Sequence, residues 1–188
     1  MLTDIHPSDS LLAGFVSSNE IKPGLTLVTG PRGSGKTSWC VKLIERAHSF
    51  GLRPGGLISP AVFENGQKVG IDLLDLTTRE CRHLAYRRGN AIGDLWTSDW
   101  QLVAGTLEWG NSVLERLMEC DLFILDEVGP FEFDHGVGFV KGLEIIDSRK
   151  NIPSFVTIRP SLLPIAQLHW PWAQVVDISM GREHDSRQ

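Results

Sequence analysis

The sequence predicts an α/β protein with three layers, in which a mainly parallel sheet lies between layers of helices. Short apolar runs of strand length alternate with longer segments whose apolar residues recur at helical spacing, a pattern typical of parallel sheets covered on both faces. Between residues 56 and 86 the spacing is instead strand-like over several runs, which predicts an antiparallel β insertion after the first helix. The length of 188 residues suits one domain, expected over residues 21–188 after an N-terminal extension over residues 1–20.

The first strand and the first helix are predicted near the start of this domain. Residues 25–29 form a short apolar run after a turn at residues 22–24, and this run predicts a buried strand. From residue 35 to residue 50 the apolar side chains suit one face of a helix, which Gly51 is well placed to terminate.

The predicted insertion consists of short extended runs at residues 57–59, 61–63, 69–76 and around 83–86. The dipeptide Asn65-Gly66 separates two of these runs. It is a strong hairpin signal because both residues tolerate a positive φ. We therefore expect the runs on either side of it to pair as antiparallel strands.

The second half of the sequence returns to alternating helices and strands. We predict helices at residues 106–118 and 137–149, and strands at residues 122–125, 154–158 and 175–178. No internal repeat or low-complexity linker divides this region, so these elements are expected to join the same sheet.

Composition excludes several classes of function. The chain has 18 Lys and Arg against 23 Asp and Glu, a net charge of -5, which argues against nucleic acid or an anionic membrane as the main partner. The uninterrupted apolar runs are far shorter than the ~20 residues of a membrane helix. The three cysteines have no CxxC spacing and predict reduced thiols in a cytoplasmic protein.

A glycine-rich segment between the first strand and the first helix fits the phosphate-loop motif G-x-x-x-x-G-K-[ST] without a mismatch. Its backbone N–H groups and the N-terminus of the following helix would cradle phosphates. Lys36 is expected to contact the β- and γ-phosphates, and the Thr37 hydroxyl to bind Mg²⁺. The predicted nucleotide-binding residues are Gly30, Pro31, Arg32, Gly33, Ser34, Gly35, Lys36, Thr37 and Ser38.

Two consecutive acids end the predicted strand at residues 122–125. The carboxyl ends of parallel strands form the edge of the sheet where ligands bind in this class. Acids at a strand end are by themselves a weak signal, but a phosphate loop about 90 residues upstream strengthens it. We therefore predict that Asp126 holds Mg²⁺ through a water molecule and that Glu127 orients or deprotonates the attacking water.

A third acid follows a tight turn. Gly129-Pro130 keeps the next residues close to the acidic pair, and Glu132 is therefore a candidate to position water or metal. Asp134 better suits the alternative role of capping the next helix.

Phosphoryl transfer also needs positive charge on the outer phosphate oxygens. Arg159 follows a core strand and is a candidate because the strand end faces the predicted site, with capping of a helix or pairing with an acid as the alternatives. Arg32 lies in the phosphate loop itself. A cluster in the insertion offers further candidates, although it equally suits a solvated strand edge: Arg79, Arg82, Arg87 and Arg88.

Three tryptophans are considered as possible contacts of the nucleotide. Trp39 lies on the first helix and is expected to pack in the core, whereas Trp96 and Trp100 lie in a polar, irregular stretch. The latter two are candidates to stack on a base or to cover the site, although for every tryptophan the sequence favours packing over ligand contact.

Three segments together resemble the small cytosolic nucleoside triphosphatases first described from thermophiles, called cancer-related NTPase in animals. They are residues 29–37 around the phosphate loop, residues 64–72 of the predicted hairpin, and residues 125–132 with the acidic pair. The resemblance covers roughly residues 24–160. It implies Mg²⁺-dependent hydrolysis of nucleoside triphosphates to diphosphates with broad base tolerance. It also implies a P-loop domain with a β insertion after the first helix.

The residues alone leave other functions open. A P-loop small-molecule or nucleotide kinase would need an acceptor pocket and an arginine-bearing lid. A nucleotide-dependent switch or assembly factor with slow hydrolysis would use the N-terminal extension or the Trp-rich C-terminal region as a contact surface for a protein partner.

Overall fold

The computed structural model describes residues 22–87, 95–96 and 100–181. Within them, ten strands form one sheet. The strands are β1 (Gly24–Thr29), β2 (Pro54–Ile58), β3 (Ala61–Glu64), β4 (Gln67–Asp75), β5 (Cys81–Arg87), β6 (Leu95–Trp96), β7 (Trp100–Leu102), β8 (Leu122–Val128), β9 (Pro153–Ile158) and β10 (Gln174–Asp177).

Helices connect the strands of the parallel part of the sheet. They are α1 (Lys36–Ser49), α2 (Ala104–Glu115), α3 (Val140–Ser148) and α4 (Leu163–His169), with a π-helical turn at Phe131–His135 and 3₁₀ turns at Pro160–Leu162 and Ile178–Gly181. In the described ranges, no helix is long and apolar enough to cross a membrane.

The sheet has a parallel half and an antiparallel half. Its order is β10-β1-β9-β8-β2-β4-β5-β7-β6, with β3 paired to β4. The first five strands run parallel, and the others pair antiparallel. The halves meet through two residue pairs, Leu57↔Asp75 and Ile58↔Leu74. The expectation that the insertion begins near residue 56 was therefore wrong for β2, which belongs to the parallel half.

Two cores on opposite faces of the sheet confirm the three-layer prediction. One face packs against α1, whose Trp39, Leu43 and Ile44 are buried with Val28 and Ile124 of the strands. The other face packs against α2 and α3 through a separate cluster, which includes Leu27, Phe123, Leu125, Val113 and Ile146. Neighbouring strand residues such as 27 and 28 thus face different helices, as strand geometry requires.

The structure differs from the sequence prediction in the start of one helix and in several short elements. The third helix begins at Val140 instead of residue 137, because the π-helical turn and left-handed Gly136 and Gly138 come before it. α4 and the short strands β6 and β7 were not predicted. Residues 1–20, Arg88, and the side chains of Trp96 and Asp134 lie outside the described part of the chain.

Candidate active site

The phosphate loop connects β1 to α1 as predicted. Gly35 precedes the helix with φ 95°, a left-handed conformation that favours glycine. The Lys36 ammonium lies across the loop and donates hydrogen bonds to the carbonyls of Gly30 (2.8 Å) and Pro31 (3.2 Å). Burial lowers the pKa of Lys36, and the nearby carboxylates of Glu127 and Asp126 oppose that shift. The loop is therefore a preformed ring of backbone groups with a partly desolvated cation at its centre.

Asp126 connects the acidic strand end to this loop. Its carboxylate is fully buried and accepts hydrogen bonds from Thr37 Oγ1 (2.8 Å), the Ser59 N–H (3.1 Å) and Thr157 Oγ1. Burial raises the pKa of Asp126, the neighbouring Glu127 raises it further, and the three donors lower it. The predicted metal residues Thr37 and Asp126 are thus in direct contact although 89 positions separate them.

A β-bulge orients the acidic pair. The register between β8 and β9 shifts after Leu125, so that Asp126 and Glu127 together oppose Thr157. The Thr157 hydroxyl serves both residues, because it donates to Asp126 and accepts from the Glu127 N–H (2.8 Å). Glu127 adopts a left-handed backbone with φ 65°. The sequence contains no glycine or other signal for this conformation, which frees Glu127 from the alternation of a regular strand.

A cavity of about 570 Å³ opens above the loop and the acids. Its wall on the α1 side includes Thr37, Ser38 and Val41. The opposite wall comes from the antiparallel half of the sheet and from strand ends: Ser59, Pro60, Ala61, Phe63, Lys68, Ile71, Trp100, Glu127 and Arg159. The volume suits a nucleotide-sized ligand.

Several predicted cations and aromatic residues reach this cavity. Arg159 lines it beside Glu127, as expected of a residue at the end of a core strand. The Arg32 guanidinium lies 5.8 Å from the centre of the Trp100 ring. Trp100 therefore covers part of the site, as proposed from the sequence, but from strand β7 instead of an irregular segment. Trp39 packs in the core, as predicted.

The arginine cluster of the insertion is not brought to the site in the described residues. Arg82 forms an ion pair with Glu80 (2.8 Å) and stacks over Trp109 at 4.6 Å. Arg79 and Arg87 are exposed and line neither of the two cavities described here. The alternative of a charged strand edge fits these residues better than a catalytic lid.

Lys68 is a site residue that the sequence analysis missed. It lies on β4, lines the cavity, and places its ammonium 5.0 Å from the centre of the Trp100 ring. Its position two residues after the Asn65-Gly66 turn was the available signal, but a lysine near a turn is ordinarily a solvated residue.

Glu132 has hydrogen bonds that favour a structural role over the predicted positioning of water or metal. Its two carboxylate oxygens accept the backbone N–H groups of Gly129 (2.8 Å) and Phe139 (2.9 Å). The side chain is buried, and burial raises its pKa. Glu132 therefore holds together the two ends of the loop between β8 and α3.

A smaller cavity of about 100 Å³ lies on the other side of Glu127 and Arg159. Its walls are mainly apolar, with Leu84, Leu107 and Phe139 among them. It shares Ile71, Trp100, Glu127 and Arg159 with the larger cavity, so the two are neighbours.

The residues at the loop fit a magnesium ion. The Thr37 hydroxyl and the Asp126 carboxylate are oxygen ligands of the kind that Mg²⁺ prefers. Thr37 lines the cavity, and the buried Asp126 carboxylate is in hydrogen-bond contact with it. No group of three or more His, Cys, Asp or Glu side chains in the described ranges could hold a metal. A Mg²⁺ ion bound here would take one or two protein ligands and complete its coordination with phosphates and water.

A phosphate loop followed by a helix, with an acid from a neighbouring parallel strand against the loop threonine, defines a P-loop nucleotide-binding protein. A family model described as NTPase matches residues 26–162. The chain belongs to this NTPase family, and it is therefore an enzyme of the nucleoside-triphosphatase class.

Two relatives of this chain are named as nucleoside triphosphatases. The chain is 32% identical over 123 residues to a protein of Caldivirga maquilingensis named nucleoside-triphosphatase THEP1, covering 65% of this chain and 69% of the relative. It is 33% identical over 111 residues to a protein of the same name from Methanopyrus kandleri, covering 58% of this chain and 60% of the relative. The second alignment thus spans less than two thirds of that relative's length.

Two solved structures share the fold. The solution structure of a human cancer-related nucleoside triphosphatase has a TM-score of 0.62 and 20% identity, and covers 88% of this chain and all of its own. The crystal structure of THEP1 from Aquifex aeolicus has a TM-score of 0.64 and 20% identity, and covers 82% of this chain and 89% of its own. At this identity the likeness concerns the fold, and it confirms the predicted P-loop architecture.

Proposed function

We propose that this protein hydrolyses nucleoside 5'-triphosphates to diphosphate and phosphate with Mg²⁺, and that it accepts several bases. The observation that carries the proposal is the hydrogen bond between Thr37 and Asp126, with Glu127 immediately beside it. This contact unites the phosphate loop, an oxygen ligand pair and a second acid at one end of the cavity. That is the set of groups a triphosphatase needs.

Each residue has one task in this mechanism. The N–H groups of the loop bind the phosphates, and Lys36 exchanges its bonds to the Gly30 and Pro31 carbonyls for bonds to β- and γ-phosphate oxygens. Thr37 and Asp126 would hold Mg²⁺, which neutralises phosphate charge when bound. Glu127 orients a water and accepts its proton as the water oxygen attacks the γ-phosphorus and the bond to the bridging oxygen breaks. Arg159, at the same wall, faces the transferred group.

Broad base tolerance is supported by the surface at the outer end of the cavity. Phe63 is 63% exposed there, and Val41 supplies a second apolar contact. An aromatic face stacks on any base because every base has a π-face, whereas discrimination needs polar groups that read the base edges.

The test is phosphate release from ATP, GTP, CTP and UTP with Mg²⁺, for the wild type, Glu127→Gln and Lys36→Ala. We expect wild-type rates within about tenfold of one another across the four bases, and Glu127→Gln to lower kcat by about 10²–10⁴-fold. Nucleotide affinity should survive in Glu127→Gln and fall in Lys36→Ala. Unchanged release in both variants would contradict the assigned site, and release from a single base would contradict the tolerance.

We also propose a location and a class of partner for the protein. All three cysteines are free thiols, which supports the reducing cytoplasm as the location we propose. The net charge of -5 supports a small-molecule substrate and no nucleic-acid partner. Trp172, 44% exposed in the C-terminal region, is the described residue that best suits a protein contact.

A further inference from the structure

Lys68 reaches the cavity because of an irregularity in its strand. Along β3 and β4 the pairs Ala61↔Ile71 and Val62↔Gly70 are followed by Phe63↔Lys68, so β4 carries one extra residue at position 69. In a regular strand, residues 68 and 71 would face opposite sides of the sheet. The extra residue reverses that alternation, and Lys68 and Ile71 both line the nucleotide cavity. Bulges beside active sites commonly re-aim one side chain in this way.

The surroundings of Lys68 are those of an anion-binding cation. The side chain of Lys68 is partly buried, and this burial lowers its pKa. The carboxylates of Glu127 and Asp126 raise the pKa, whereas the cations Arg32 and Arg159 lower it. Glu127 is the largest single charge effect. Lys68 therefore lies within electrostatic reach of the acid that faces the attacked phosphorus, among other cations that a polyanion would attract.

The Trp100 ring lies next to the Lys68 ammonium. The ammonium lies 5.0 Å from the centre of the Trp100 ring, and the ring itself is buried. A cation over an indole face is held without being neutralised by a carboxylate. The arrangement keeps the long side chain in the cavity and leaves its positive charge available for a ligand.

We propose that Lys68 contacts the γ-phosphate of the bound nucleotide and stabilises the charge that develops on its oxygens during hydrolysis, with Trp100 as a positioning residue. This inference rests on the proposed function and adds a residue to it. No proton leaves Lys68: the water oxygen forms the new bond to phosphorus, the bond to the bridging oxygen breaks, and Glu127 takes the water proton. The β insertion thereby supplies part of the catalytic charge.

The test compares Lys68→Ala and Lys68→Arg with Lys150→Ala. Lys150 also stacks over a tryptophan, 4.0 Å from the centre of the Trp172 ring, but does not line the cavity. We expect Lys68→Ala to lower kcat by about 10²–10³-fold, Lys68→Arg to recover part of that loss, and Lys150→Ala to match the wild type.

A second readout needs no turnover. Aluminium fluoride with Mg²⁺ and a diphosphate mimics the transferred phosphoryl group, so the gain in ADP affinity on adding fluoroaluminate measures stabilisation of the transition state. Lys68→Ala should lose this gain while its affinity for ADP alone stays within about threefold of the wild type. Trp100→Phe should retain most of the gain and Trp100→Leu should lose it.

Three results would overturn the inference: kcat of Lys68→Ala within about threefold of the wild type, an unchanged fluoroaluminate gain, or an equal loss of affinity for ADP with and without fluoroaluminate. The last would mean that Lys68 only binds the ground state. Failure of the proposed function looks different, because the wild type itself would then release no phosphate and Glu127→Gln would change nothing.

Discussion

Replacing Glu127 by glycine is expected to stabilise the fold while it abolishes hydrolysis. Glu127 has a left-handed backbone with φ 65° at the bulge that ends β8. This conformation costs a residue with a side chain about 1–2 kcal/mol, and glycine adopts it freely. Against this gain, the greater freedom of glycine in the unfolded chain costs about 0.5–1 kcal/mol.

The change in free energy of unfolding is best measured against a matched variant. Glu127→Gln and Glu127→Gly both remove the charge next to Asp126 and both keep the N–H that donates to Thr157. Their difference therefore reports the backbone conformation together with the contacts of one half-buried side chain. We expect Glu127→Gly to exceed Glu127→Gln by about 0.5–1 kcal/mol in free energy of unfolding. In a domain of this size that corresponds to a rise in Tm of about 2–4 °C for each kcal/mol.

The assay is urea and thermal unfolding of both variants without nucleotide or magnesium, followed by phosphate release. Equal denaturant m-values would confirm that the two variants unfold from comparable states. If Glu127→Gly proves no more stable than Glu127→Gln, the bulge is not strained at this residue. The claim that backbone strain is retained there to aim an acid would then be wrong.

The remaining predictions concern buried contacts around the site. Thr157→Val should lower the free energy of unfolding by about 1–3 kcal/mol, because the Asp126 carboxylate and a backbone N–H lose their shared hydrogen-bond partner. Thr157→Ser should keep the hydroxyl and with it most of the stability and activity. Equal losses of stability in the two variants would refute this prediction. Gly138→Ala should destabilise more than Gly136→Ala in the same urea titration. Both glycines have a positive φ, but a Cβ at position 138 would lie 2.1 Å from a Glu132 oxygen, whereas one at position 136 would meet nothing within 4 Å. Similar losses in the two variants would show that only backbone strain matters there.

Features encoded by local sequence were predictable. The phosphate loop depends on glycines and a following helix, and Lys36 and Thr37 lie where the motif requires. The buried strands and α1 follow from apolar spacing. Asp126 was also predictable, because the end of a parallel strand and the phosphate loop necessarily share one edge of the sheet.

Features that depend on pairing between strands were not predictable. The bulge at Glu127 and the extra residue before Gly70 arise from the register of one strand against another, and no local residue type signals either. The sequence analysis consequently did not identify Lys68 as a site residue. Glu132 looked catalytic from its spacing alone, and only the N–H groups that converge on its oxygens identify its structural role.

The junction between β2 and β4 divides the sheet into a parallel module and an antiparallel module, which together enclose the cavity. In the part of the chain that the structure describes, the ladder across this junction consists of two residue pairs, and Leu73 and Leu84 of the antiparallel half share an apolar core with the parallel half. The parallel module carries the loop and the acidic pair, whereas the antiparallel module carries Phe63, Lys68 and Trp100 on the opposite wall. Insertions, deletions and altered turns in the second module need not disturb the register that holds the first, since added loop length costs little. Turn lengths at the rim of the antiparallel module can therefore vary while the phosphate loop and the acidic pair keep their places.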